Sequence, residues 1–240
     1  MSSRTPRALG ISAAAGLALL VPACILVVDG DSDWHGARWH ADWGKNSIQG
    51  SGVAKTEDRA IGDYKKVEVN GSCDVSLAVG SATGLSITAD DNLLQYVVTE
   101  VRDGTLVVEM KAGSYSPQIH MKVTTTTPAV EAVRIRGSSD VDLKGLAGER
   151  FELEVDGSGD AKASGKVGSV VAKVAGSGDL NLSEVEARDA TVEISGSGDV
   201  DVWATESVAV SVAGSGDVTY KGDPKKVTKS VAGSGSVRKR

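Results

Sequence analysis

The chain of 240 residues carries a formal net charge of −6, contains 29 glycines and five prolines, and has a single phenylalanine in an aromatic share of 4%. Such a composition excludes a globule with a bulky aromatic core and favours short strands and tight turns over helix. The acidic balance, with no basic stripe to offset it, excludes a nucleic-acid backbone as partner.

In chain order the first element is an export segment. Arg4 and Arg7 precede an apolar run from Ala8 to Val28, which is the charged-then-apolar layout of a secretory signal. Val21-Pro22-Ala23-Cys24 resembles a bacterial lipobox, and Cys24 is the candidate lipidation site. The run continues through Val28 and is also long enough to stay as an uncleaved transmembrane anchor. Either way the chain beyond Asp29 is delivered outside the inner membrane, with the membrane itself as a partner. Residues 1–28 are therefore read as signal or anchor. Residues 29–59 are read as a linker, in which Trp34, Trp39 and Trp43 are candidates for contact with the membrane interface. Packing against the body is the alternative for these tryptophans.

Residues 60–128 read as irregular strands split by turns, either the opening coils of the body that follows or a small β domain of their own. One segment here, VEVNGSCDVSL at 67–77, is an outlying copy of a pattern that dominates 129–240. There the copies VRIRGSSDVDL, LEVDGSGDAKA, AKVAGSGDLNL, VEISGSGDVDV, VSVAGSGDVTY and KSVAGSGSVRK follow one another. Their leading glycines, Gly137, Gly157, Gly176, Gly196, Gly214 and Gly233, step by 20, 19, 20, 18 and 19 residues. A fixed period of about 19 is the signature of a solenoid.

Within each copy apolar residues alternate on both sides of the Gly-Ser-Gly-Asp corner, as strands with one buried face do. One strong corner per period argues that the chain coils back to the same place and stacks in parallel. The predicted fold is all-β, a right-handed parallel β-helix, its hand following from the rule for parallel crossovers. Stacking puts Ile135, Val155, Val174, Ile194, Val212 and Val231 in one interior column, and Val141, Ala161, Leu180, Val200, Val218 and Val237 in another. It also puts Asp140, Asp160, Asp179, Asp199 and Asp217 in a ladder, a structural row in which each carboxylate accepts a bond from a nearby backbone N–H. A row of calcium ions between coils is the alternative, weakened because calcium-binding solenoids turn every nine residues; no metal or cofactor is expected. In the last copy Ser236 replaces the aspartate, and Lys229 and Lys239 enter apolar columns, which reads as an edge protected against further stacking.

Histidine occurs only at 35, 40 and 120, no G-x-S-x-G or H-E-x-x-H motif is present, and no catalytic residue is assigned. The enzyme class left standing is a polysaccharide-acting β-helix, which needs long loops that coils of 18–20 residues do not supply.

The segments IGDYKKVEVNGSCDVSL, ITADDNLLQYVVTEVRDGTLVVEMK and EAVRIRGSSDVDLKG, followed by GSGD copies, resemble the bacterial head GIN domain family over about residues 60–225. The resemblance implies a β-helical body in an exported or lipid-anchored protein with an adhesin-like role, and no family catalytic residues. The functional expectation is an envelope-anchored binding or structural module in the periplasm or at the outer membrane, with an envelope glycan or protein as partner.

Overall fold

A computed structural model describes residues 47–240. Cys24, Trp34, Trp39, Trp43, His35, His40 and the apolar run 8–28 lie outside the described residues. Among the described residues no helix is long and apolar enough to cross a membrane.

The strands are β1 (Ile48–Gln49), β2 (Ala54–Asp58), β3 (Lys66–Gly71), β4 (Asp74–Val79) and β5 (Gly84–Asp90). After a 3-10 turn at Leu94–Tyr96 come β6 (Val97–Arg102), β7 (Thr105–Met110), β8 (Tyr115–Ser116) and β9 (Lys122–Thr127). The repeats form β10 (Ala132–Gly137), β11 (Asp140–Gly157), β12 (Ala161–Gly176), β13 (Leu180–Gly196) and β14 (Val200–Gly214). The last coil carries β15 (Val218–Lys221), β16 (Lys226–Gly233) and β17 (Val237–Lys239).

From β10 onward every pairing is parallel and steps by one coil, which makes the body a parallel β-solenoid. Both predicted columns form in register, but the first is not interior to its end: Val231, on the last coil with nothing stacked above it, is 41% exposed. Ile135 pairs with Val155, Val155 with Val174, Val174 with Ile194 and Ile194 with Val212, all of them buried. Large residues sit over small ones: fully buried Phe151 stacks on Val170, and Val170 on Ala190. Such alternation fills the interior without strain. Register slips between Leu182 and Glu186, and between Ala187 and Asp189, mark where each coil bends and absorb the difference between coils of 18 and 20 residues.

The opening part is coiled, but out of chain order. The outlying copy stacks directly beneath the first regular one, with Val69 on Ile135, Gly71 on Gly137 and Val75 on Val141. Beneath it lies a coil formed later in the chain, β7 pairing β3 and β9 pairing β4, both parallel. The chain thus enters at the second coil, drops to the first, and rises to the third. Sequence order hides this, because pairing depends on which apolar columns match and not on which strands are consecutive.

Antiparallel pairing closes the lower end: β5 and β6 run against the coils, on β9 and β7, while β2 lies antiparallel to β5 and so runs with the coils. A two-residue turn at Asp103 (φ 50°) and Gly104 (φ 72°) joins the β6–β7 hairpin, the positive dihedrals that match the twist of paired strands. These are antiparallel caps and not wider coils. The linker expected to run to residue 59 ends earlier, since β2 at Ala54–Asp58 belongs to the main sheet. At the upper end β16 is exposed along its length. Lys229, in the column of Val192 and Val210, turns its ammonium to the Val237 carbonyl at 2.9 Å and over the Tyr220 ring at 5.2 Å.

Candidate binding face

The corner is built by close approach. A Cβ on Gly178 would lie 2.1 Å from the Gly159 carbonyl oxygen, and one on Gly176, whose φ is 138°, 2.1 Å from that of Gly157. Only glycine lets two coils meet this tightly. The Ser N–H of each upper corner donates to the Gly carbonyl below, as Ser177 does to Gly157 at 2.9 Å. Whereas the N–H of Asp140 donates to the Cys73 carbonyl at 3.1 Å, those of Asp160, Asp179, Asp199 and Asp217 find no backbone carbonyl at these corners.

The aspartates meet that need. Asp140 Oδ1 accepts from the Asp160 N–H at 3.0 Å, Asp160 from Asp179 at 2.8 Å, Asp179 from Asp199 at 2.7 Å and Asp199 from Asp217 at 2.7 Å. Asp217 receives the Ser236 N–H at 2.8 Å, so the ladder ends on a residue that needs only to donate. Each bond runs to the coil above. One carboxylate oxygen of every rung is thereby committed to structure, while Asp217 gives its other oxygen to the Arg238 guanidinium at 2.7 Å. Contacts with Ser236, and then Arg238, hold the Asp217 carboxyl below the usual range. Among the described residues no group of three or more His, Cys, Asp or Glu is arranged to hold a metal ion.

At the lower end the corner departs from glycine for a visible reason. Ser139 is fully buried, accepts the Cys73 N–H at 3.0 Å and donates to the Gly71 carbonyl at 3.1 Å. Its hydroxyl does there what the close backbone contact does elsewhere. Cys73 is also buried, and burial pushes its thiol up to about 11, which Ser139 only partly counteracts.

The ladder edges an open groove of about 850 Å³ that runs across the coils. Its floor is the outward row two residues past each corner aspartate: Ser76, Asp142, Lys162, Asn181, Asp201, Thr219 and Arg238. Asp74 adds a rung below Asp140 and is met by His120 Nε2 at 3.0 Å. No chemistry-bearing motif marks this row, although the period alone would have found it by reading two positions past each aspartate. Trp203 stands outward beyond Asp201, with the Lys221 ammonium 4.1 Å from its ring centre. A second groove of about 670 Å³ is lined by mixed charges that largely pair with one another, Arg134 with Glu154 and Arg150 with Glu152 among them.

The family model described as "Putative auto-transporter adhesin, head GIN domain" matches residues 63–224. The chain belongs to the head GIN domain family. The match runs from the turn before β3 to the turn after β15, and so takes in the out-of-order coils together with the ladder. Solved structures agree on the head GIN fold. One, named a putative adhesin from Bacteroides fragilis, superposes with a TM-score of 0.68 at 22% identity, over 81% of this chain and 100% of its own. Another, named a putative lipid binding protein from Parabacteroides distasonis, gives a TM-score of 0.55 at 27% identity, over 81% of this chain and 99% of its own. A second P. distasonis structure, also named a putative adhesin, gives 0.50 at 20% identity over 81% and 100%. No curated protein matches the chain.

Proposed function

We propose that this head GIN protein is an exported, envelope-anchored and non-catalytic binding module that captures an extended envelope glycan or protein segment along its acidic groove. The observation that carries the reading is the register of the groove. Outward side chains from Asp74 to Arg238 repeat once per coil, a spacing of about 4.8 Å, and among the described residues no inserted loop walls the groove into a pocket. A row of this kind suits a linear partner met by many weak contacts, whereas turnover needs one enclosed position where acid and base converge. The adhesin names of its relatives point the same way, and the apolar run from Ala8 to Val28, with Cys24 within it, supports anchoring in the envelope.

The test uses the full chain in detergent micelles, with isolated cell-wall glycan and envelope protein extract as probes. The expected result is retention by one of the two, weakened at least tenfold by the pair Asp179→Asn and Asp199→Asn without loss of the folded signal. Retention unchanged in the pair would remove the groove as the binding face. Release of reducing ends from a polysaccharide panel would overturn the non-catalytic reading in favour of a β-helical polysaccharide enzyme. Mass analysis of the mature N-terminus in wild type and Cys24→Ala decides lipidation separately.

A further inference from the structure

Residues 47–53 lie on the lower end of the body in a way unlike any other strand. β1 pairs in parallel with β8 over only two residues, Ile48 with Tyr115 and Gln49 with Ser116. Hydrogen bonds supply nearly all the remaining hold. Ile48 N–H donates to the Ser114 carbonyl and Gly50 N–H to that of Ser116, both at 2.9 Å. Asn92 clamps the segment from the other side, its Nδ2 on the Gln49 carbonyl at 2.7 Å and its Oδ1 on the Ser51 N–H at 2.9 Å. Apolar burial is slight: Ile48 is 36% exposed and Val53 58%.

Asp90 is the keystone. Its side chain has no accessible surface, and its two oxygens point to different partners, Oδ1 to the Gly52 N–H at 2.7 Å and Oδ2 to the N–H groups of Gln118 and Ile119 at 3.0 Å each. Gly50 covers it so closely that a Cβ there would lie 2.5 Å from the carboxylate. A buried charge with three N–H donors is stable while covered, and becomes hydrated when Gly50 lifts away. Opening therefore strands no charge in an apolar site.

We propose that residues 47–53 are a peelable strap, latched by Asp90, that opens as a unit while the solenoid stays folded. The lower caps do not depend on it, because β2 is held by β5 and not by β1. A segment held by hydrogen bonds that water can replace, with little apolar area buried, belongs to the low-stability end of a fold. The consequence for function rests on reading residues 1–28 as the membrane anchor. The strap is then the first part of the body to feel a pull on the partner, and its release lengthens the tether by up to about 25 Å, at roughly 3.5 Å per extended residue.

Native-state hydrogen exchange on the full chain in micelles tests the strap whether or not Cys24 is lipidated. The amides of Ile48, Gly50, Ser51 and Gly52 are expected to exchange at least tenfold faster than those of β12 and β13. Asp90→Asn, whose amide nitrogen cannot accept from Gln118 or Ile119, should accelerate residues 47–53 and 114–119 by a further tenfold or more with β10–β14 unchanged. Gly50→Ala, which leaves the carboxylate in place but blocks the cover, should accelerate 47–53 in the same way. Strap amides as protected as β12, or variants that accelerate β10–β14 equally, would overturn the proposal.

Discussion

Replacing Asp199 separates the two jobs of a ladder carboxylate. Its Oδ1 accepts the Asp217 N–H at 2.7 Å, and its own N–H is held by Asp179 at 2.7 Å. Asp199→Ala removes the acceptor and leaves the Asp217 N–H to water. A hydrogen bond to a charged acceptor is worth about 1.5–3 kcal/mol, and exposure of the corner cuts that to about 1–1.5 kcal/mol. Against this, the lost repulsion from Asp179 and Asp217 returns at most about 1 kcal/mol per neighbour at water-like dielectric, and less once salt screens it. Asp199→Asn keeps an oxygen for the N–H, and loses the repulsion together with the part of that bond's strength that came from the charge, the two largely offsetting. The expected order of stability is therefore Asn at or slightly above wild type and Ala below Asn by about 1 kcal/mol, or about 2–4 °C for a body of this size. Urea unfolding followed by far-UV circular dichroism at low and at 1 M salt reads both effects. High salt should erase the advantage of Asn over wild type and keep the gap between Asn and Ala. If Asn destabilises as much as Ala, the ladder is not held by backbone acceptance, and the account of the corner is wrong.

Gly178→Ala, which drives a Cβ to 2.1 Å from the Gly159 carbonyl, should cost about 3 kcal/mol or more, while Gly62→Ala, with nothing within 4 Å, should be neutral; the same unfolding curves compare them. Phe151→Ala, at a fully buried position under Val170, should destabilise by about 3–5 kcal/mol through the cavity it leaves. Asp90 has its pKa set by two opposed causes: burial works to raise it, and the N–H groups of Ile119, Gly52 and Gln118 outweigh burial and leave it lowered. The unfolded chain thus takes up the proton first, so this stabilisation is complete above about pH 4 and fades as pH falls through the lowered value. A pH series of exchange at the strap, with Asp91 and Ser51 beside it and rates divided by those of unprotected amides at each pH, should show no loss of protection between pH 7 and 5. Cys73 has the opposite sign: with its thiol pushed up to about 11 from 9.0, the unfolded chain ionises first, and stability falls as pH rises between the two values. Alkylation of Cys73 should accordingly be slow in the folded chain and should follow unfolding.

Much of the body was legible because the repeat is a local code read many times. Alternation in VEISGSGDVDV identifies inward residues, the glycine steps set the register, and stacking turns register into columns without knowledge of any contact. The purpose of Asp140 to Asp217 was legible in outline, as acceptors of backbone N–H groups. That each bond reaches the coil above was not, because it depends on how the corners of successive coils face one another. Asp90 was not legible at all. Nothing around ITADDN distinguishes the aspartate that is covered and triply bonded from Asp91, which stays at the surface.

The sequence by itself determined the solenoid, its period and the register of its columns, since a repeat that cannot bury its own apolar face must bury it against its neighbours. Tertiary structure alone decided the order of the first three coils, the antiparallel closure that drew β2 into the sheet, the groove floor from Ser76 to Arg238, and the strap under Asp90. Each of these joins residues from distant parts of the chain, and their meeting is set by the fit of whole surfaces rather than by any pattern that neighbouring residues carry.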